Sequence, residues 1–284
     1  MATIIDGKRI SSEIRAELTQ KTNAFQAEHG IVPGLAVIIV GNDPASCVYV
    51  RNKHRACAEV GFYSEVHELP ADATQEQVIA MIDKLNDQDE IHGILVQLPL
   101  PKHLDEQTIL LRIKPEKDVD AFHPYNVGKI MIGDYNVLPC TPAGVMQLLA
   151  RSGVSVAGKH CVVIGRSNIV GKPMAMLLLH DNGTVTVCHS RTTDLKAQTL
   201  QADILVAAVG RAGFVTADMV KPGAVVIDVG INRNAEGKLC GDVDFQSVSE
   251  VASMITPVPG GVGPMTITML LQNTLTAAEA AQNN

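Results

Sequence analysis

The chain has 284 residues, 46% of them hydrophobic but only 3% aromatic and none tryptophan, so one or two domains with an aliphatic core are expected. A formal net charge of −7 disfavours a nucleic-acid phosphate binder, and no apolar run is long enough to span a bilayer. The N-terminus lacks a basic segment followed by an apolar one, and six scattered cysteines form no C-x-x-C pair, so reduced thiols in a cytoplasmic protein with no metal site are expected.

In chain order, Lys8 to Glu28 reads as a helix, with Ile10, Ile14 and Leu18 at helical spacing. Leu35–Val40 is a buried strand. Asp43 can cap the next helix and Pro44 suits its first position; that helix runs to about Val60 and ends at Gly61. Tyr63–Leu69 reads as a strand. Thr74 to Gln77 forms a capping box ahead of Val78, Ile82 and Leu85. Ile91–Leu98 is a third strand, and Leu104 to Ile113 a helix. Residues 123–139 read as a connector with some helix, and Ala143 to Arg151 as the helix after it. Strand and helix alternate again through Cys161–Ile164, Met174–Leu179, Thr184–Cys188, Ile204–Val209 and Ala224–Val229. Ile255 to Pro264 is too rich in proline and glycine for regular structure, and Met265 to Ala281 is a final helix. Such alternation implies α/β architecture with mainly parallel sheets.

The stretch from Cys161 to Pro173 has the plan of a dinucleotide site: apolar strand, turn at Gly165, small Ser167, Gly171, then helix. The first N–H groups of such a helix lack partners and favour an anion. The spacing Gly165-x-Ser167-x-x-x-Gly171 is one residue longer than G-x-G-x-x-G, and taken alone it reads equally as an ordinary turn. The next strand ends in His189-Ser190-Arg191, with no acid before Asp194. Enzymes that take NAD place a carboxylate there for the ribose hydroxyls, whereas hydroxyl and guanidinium suit a 2′-phosphate; the bland alternative is a solvated arginine.

Tyr49 and Lys53 lie four apart on one helix face beyond the first strand. A lysine there can carry a proton, or can simply lay its stem along an amphipathic helix. Gln97 closes a strand, where its amide can hold a lysine or a substrate, or simply make a strand-end hydrogen bond. Asp118 and Asp120 come without companion acids, and one of them can accept two parallel N–H bonds from an amidine-like edge.

Six blocks resemble the bifunctional methylenetetrahydrofolate dehydrogenase/cyclohydrolase family, in the family's order over nearly the whole chain. They are Pro44 to Lys53, Gly93 to Pro101, Pro115 to Asp120, Pro139 to Pro142, Gly165 to Pro173 and Pro257 to Thr266. Ala121 departs from the family's usual glycine; if its backbone needs positive φ, alanine costs about 1 kcal/mol. The resemblance implies two α/β domains around a cleft, the second a Rossmann-type NADP-binding domain. Residues 1–120 would bind folate, joined by the C-terminal helix 266–284; 140–265 would bind NADP, with 121–139 as connector. The family's chains pair as homodimers.

The implied chemistry is oxidation of methylene-tetrahydrofolate to the methenyl cation with NADP, then hydrolysis to 10-formyl-tetrahydrofolate. By resemblance Lys53 is the catalytic lysine, held by Gln97 and assisted by Tyr49, whose ring stacks on the folate, while Asp120 grips the pterin. Gly165, Arg166, Ser167, Ser190, Arg191 and Ile231 would touch NADP. Pro259, Gly260 and Gly263 would shape the place where folate meets nicotinamide. A cationic intermediate disfavours a charged amine beside it, so a neutral Lys53 could take a proton from water. The alternatives are a non-catalytic NADP and pterin sensor, against which Tyr49, Lys53, Gln97 and Asp120 together argue, and a dehydrogenase of shikimate or amino-acid type, which shares the cofactor domain but does not explain the first domain's motifs.

Overall fold

The structure is a computed structural model, described here for residues 1–234 and 236–282, without the side chain of Ala45. The chain divides into two compact units. One unit joins Met1–Ser12 to Pro139–Thr266; the other joins Glu13–Leu138 to the chain from Ile267 onward.

The chain opens with β1 (Thr3–Ile4) and α1 (Gly7–His29). Then come β2 (Gly34–Val40), α2 (Pro44–Val60), β3 (Tyr63–Leu69), α3 (Gln75–Asn86), β4 (Gly93–Val96), α4 (Glu106–Leu110) and α5 (Pro124–Ile132). β2 is buried along its whole length, as a central strand covered on both faces must be. It pairs in parallel with β3 and β4, giving a three-stranded sheet in the order β3-β2-β4. Its core is aliphatic: Ile38, Ile82, Leu85, Ile94 and Ile109 are each inaccessible to solvent.

Local signals set these elements. Asp43 accepts from the Ser46 N–H at 2.8 Å and Pro44 takes the first turn of α2, which stops at Gly61 with φ +82°. Thr74 and Gln77 exchange both bonds of a capping box at the start of α3. The expected strand 91–98 and helix 104–113 are each shorter than their apolar patterns. Cis Leu98–Pro99 follows β4, and α4 begins only where Asp105 caps it. The connector 121–139 contains α5, capped by His123 Nδ1 accepting from the Tyr125 N–H.

The other unit continues with α6 (Cys140–Arg151), β5 (His160–Ile164), α7 (Gly171–His180), β6 (Thr184–Cys188), α8 (Leu195–Thr199), β7 (Ile204–Ala207) and β8 (Val225–Asp228). A two-stranded hairpin, β9 (Asn232–Arg233) with β10 (Leu239–Cys240), precedes α9 (Phe245–Val248), β11 (Met254–Ile255) and α10 (Val262–Gln282). The sheet is parallel in the order β1-β11-β8-β7-β5-β6.

The expectation that 255–264 holds no regular structure is corrected at both ends. Ile255 pairs with Ile4 and Val226, and α10 starts at Val262. Asn283 and Asn284, the end of the expected last helix, lie outside the described residues. From Ile267 onward α10 belongs with the three-stranded unit, where the Asn273 amide donates to the Val119 and Leu138 carbonyls at 2.8 and 2.7 Å.

Candidate active site

In the three-stranded unit, β2 carries the chain to Val40, and the capped turn at Asp43 launches α2 from that end of the strand. Lys53 lies in the middle of α2 with only 8% of its surface accessible, and its Nζ donates to Gln97 Oε1 at 2.9 Å. Gln97 follows β4; its N–H donates to the Ile38 carbonyl at 2.8 Å and its Nε2 to the Leu98 carbonyl at 2.7 Å. The second bond fixes the amide so that the oxygen faces the lysine. Lys53 is therefore a buried, oriented amine and not a surface lysine laid along a helix. Tyr49, one helical turn earlier, remains 41% exposed.

The two aspartates separate cleanly. Asp118 is buried and accepts from the His123 N–H at 2.8 Å and from Asn126 Nδ2 at 3.0 Å; burial holds its carboxyl above the usual carboxylate range. Its backbone bridges to Ile94, which ties the segment to β4. Asp120, two residues on, is half-buried. Ala121 is fully buried with φ +57°, so the left-handed conformation suspected from the sequence is present, in a residue that bears a Cβ.

In the six-stranded unit, β5 is followed by Gly165, φ +133°, where a Cβ would collide with the Ala208 carbonyl oxygen. A Cβ on Gly171 would strike the Gly165 carbonyl, so the turn demands glycine twice. Ser167 Oγ accepts from the Val170 and Gly171 N–H groups at 3.2 and 3.3 Å, and its carbonyl accepts from the Lys172 N–H at 3.0 Å. The start of α7 is thus capped from within its own loop, which corrects the expectation that its first N–H groups stand open to an anion. Exposed Arg166 and Ser167 on this loop, and exposed Ser190 and Arg191 after β6, remain as polar side chains for phosphate. Ile164 pairs with Cys188, so the two groups leave neighbouring strand ends. Asp194, the first acid after β6, caps α8 by accepting from the Ala197 N–H at 3.1 Å. Two neighbouring strand ends with one arginine each and no ribose carboxylate fit NADP.

Ile231 follows β8 and is 52% exposed; a Cβ on Gly263 would approach its Cδ1 at 4.0 Å. Pro259 follows a cis bond, and Gly260, φ +106°, receives the Lys8 N–H on its carbonyl at 3.1 Å. Two carboxylates near Ile231 escaped the sequence reading. Asp228, at the end of β8, and Asp242 are 3% and 0% exposed. An acid closing the apolar run Val225–Asp228 was the available signal, since a buried carboxylate must find donors.

The fold and these groups define a two-unit α/β enzyme with a dinucleotide-binding unit and a lysine–glutamine pair. Family models described as the catalytic domain and the NAD(P)-binding domain of tetrahydrofolate dehydrogenase/cyclohydrolase match residues 5–120 and 139–282. The chain is 61% identical to a Bifunctional protein FolD from Moorella thermoacetica, over 98% of this chain and 99% of that one. Among solved structures, the bifunctional FolD enzyme of Campylobacter jejuni superposes with a TM-score of 0.96 at 50% identity, covering 99% and 100% of the two chains. The Trypanosoma brucei enzyme, complexed with NADP cofactor and inhibitor, gives 0.95 at 43% identity over 100% and 99%. The chain belongs to the tetrahydrofolate dehydrogenase/cyclohydrolase family.

Proposed function

We propose a division of labour among the residues of this NADP-dependent bifunctional enzyme, which oxidises methylene-tetrahydrofolate to methenyl-tetrahydrofolate and hydrolyses that to 10-formyl-tetrahydrofolate. The observation that carries it is the buried Lys53–Gln97 pair. NADP, when bound, supplies the acceptor for the hydride. Gly165 and Ser167 would shape its loop, Arg166, Ser190 and Arg191 would hold its phosphates, and Ile231 would meet its nicotinamide end.

Asp120 accepts the N–H edge of the pterin, and the exposed Tyr49 ring covers the folate. Gln97 holds Lys53 Nζ toward the reacting carbon. In the hydrolytic step Lys53 takes the proton of the attacking water, since a cationic substrate beside it disfavours a second positive charge. Pro259, Gly260 and Gly263 keep the backbone close to the bound molecules. The six thiols are free, which suits a reducing cytoplasm, and we propose that two copies of the chain pair. Among the described residues no helix is long and apolar enough to cross a membrane.

The test is incubation with methylene-tetrahydrofolate and NADP⁺ while NADPH and the methenyl absorbance are followed together. NADPH should accumulate while methenyl absorbance rises and decays. Binding without NADPH formation would leave only a sensor.

A further inference from the structure

We infer that Asp242, seated on Asp228, is a positioning residue for hydride transfer: it fixes the loop after β7 and Asn232 on one side of Ile231, while Asp228 fixes Gly230 on the other. This rests on the placement of Ile231 at the nicotinamide proposed above.

Asp242 is fully buried, and its carboxylate is saturated. Oδ2 accepts from the Val209 and Gly210 N–H groups at 2.6 and 3.0 Å, and Oδ1 from the Arg211 N–H and Asn232 Nδ2 at 2.8 Å each. Three of these donors are consecutive backbone groups just beyond the C-terminal end of β7. The fourth belongs to the residue after Ile231. Asp228 supplies the other anchor: Oδ1 accepts from the Gly230 N–H at 3.0 Å and the Asp242 N–H at 2.9 Å, and Oδ2 from the Val243 N–H at 2.9 Å. Ile231 is thus held through both of its chain neighbours by one connected pair of carboxylates.

The cost of that arrangement shows that the packing is specified. A Cβ on Gly230 would collide with the Asp242 carboxylate, and one on Gly241 with that of Asp228. Burial pushes the Asp228 carboxyl up to about 6, against the pull of its three N–H donors. Two desolvated carboxylates side by side are an expensive way to close a loop, offset only because together they pair seven N–H donors. What they add is a loop whose backbone is fixed at several points, and misplacement of reacting groups by about 1 Å can cost a hundredfold in rate.

The experiment uses the full chain and compares two activities in the same preparation. Asp242→Asn replaces an acceptor oxygen by a donor facing N–H groups. The expected result is a fall in dehydrogenase kcat with NADP⁺ of about ten- to a hundredfold, with hydrolysis of added methenyl-tetrahydrofolate unchanged. A parallel fall in both activities, or no fall in either, overturns the inference. Asn232→Ala removes one bond and decides the matter should Asp242→Asn not fold; the ratio of dehydrogenase to hydrolysis should drop about fivefold, the worth of one ordinary hydrogen bond. Ile231→Ala separates the two layers. If it lowers dehydrogenase activity and the carboxylate variants do not, positioning by Asp242 is wrong and the placement of Ile231 stands. If it leaves dehydrogenase activity intact, the placement fails and the inference with it.

Discussion

Asp118 and Asp120 stand two residues apart and should answer mutation in opposite ways. Asp118 is buried and accepts two hydrogen bonds from its own segment, so Asp118→Ala leaves buried donors unmet. Unfolding in urea should show a loss of about 2–6 kcal/mol, at about 1–3 kcal/mol for each of the two groups left unpaired. Asp120→Asn should lower both activities through folate binding and spare NADP⁺ affinity; normal folate affinity would remove Asp120 from the pterin. Arg191 carries the second residue-scale prediction. Hydrogen bonds to charged groups contribute about 1.5–3 kcal/mol, so Arg191→Ala should weaken NADP⁺ by about ten- to a hundredfold and leave NAD⁺ use nearly constant. Equal losses with both cofactors would place Arg191 away from the 2′-phosphate.

At the scale of elements, the turn at Ala121 offers a test of backbone conformation. An L-residue in the left-handed region costs about 1–2 kcal/mol, and Ala121 sits there fully buried. Ala121→Gly relieves that cost but frees the unfolded chain by about 0.4–1 kcal/mol and gives up a buried methyl worth about 0.8 kcal/mol, so its net effect should be within about 1 kcal/mol. Ala121→Val adds a β-branch and overpacks the site, which should cost more than about 2 kcal/mol in denaturant unfolding. A valine variant as stable as the parent would contradict the left-handed turn.

Elements with strong local chemistry were legible from sequence: Asp43–Pro44, the Thr74–Gln77 box, and the apolar runs of β2 and β5. Others were not, for physical reasons. β1 and β11 are two residues each and owe their existence to pairing across the chain, Ile4 with Ile255, with no periodic pattern to betray it. α8 starts from Asp194 at φ +48°, an unusual conformation for a cap. The lysine and glutamine of the candidate site could be named from spacing and family likeness, but only the fold shows that they touch. Asp242 gave no signal, because its four donors come from loops distant in sequence.

Taken as a whole, the molecule carries two chemistries with different demands. Hydride transfer needs a well-placed acceptor and consumes no enzyme base, whereas hydration of a methenyl cation needs a proton taken from water. The proposed residues divide the same way: those assigned to the cofactor belong to the six-stranded unit, while Lys53 and Gln97 belong to the three-stranded one. The central claim is that Lys53 is the base of the hydrolytic step. Lys53→Met keeps the stem and removes the amine. Supplied with methenyl-tetrahydrofolate directly, this variant should hydrolyse it at least about 10²–10⁴-fold more slowly than the parent once the spontaneous rate is subtracted, while retaining measurable NADP⁺ reduction. Hydrolysis by Lys53→Met at the parent rate would contradict the account and make Lys53 a structural lysine.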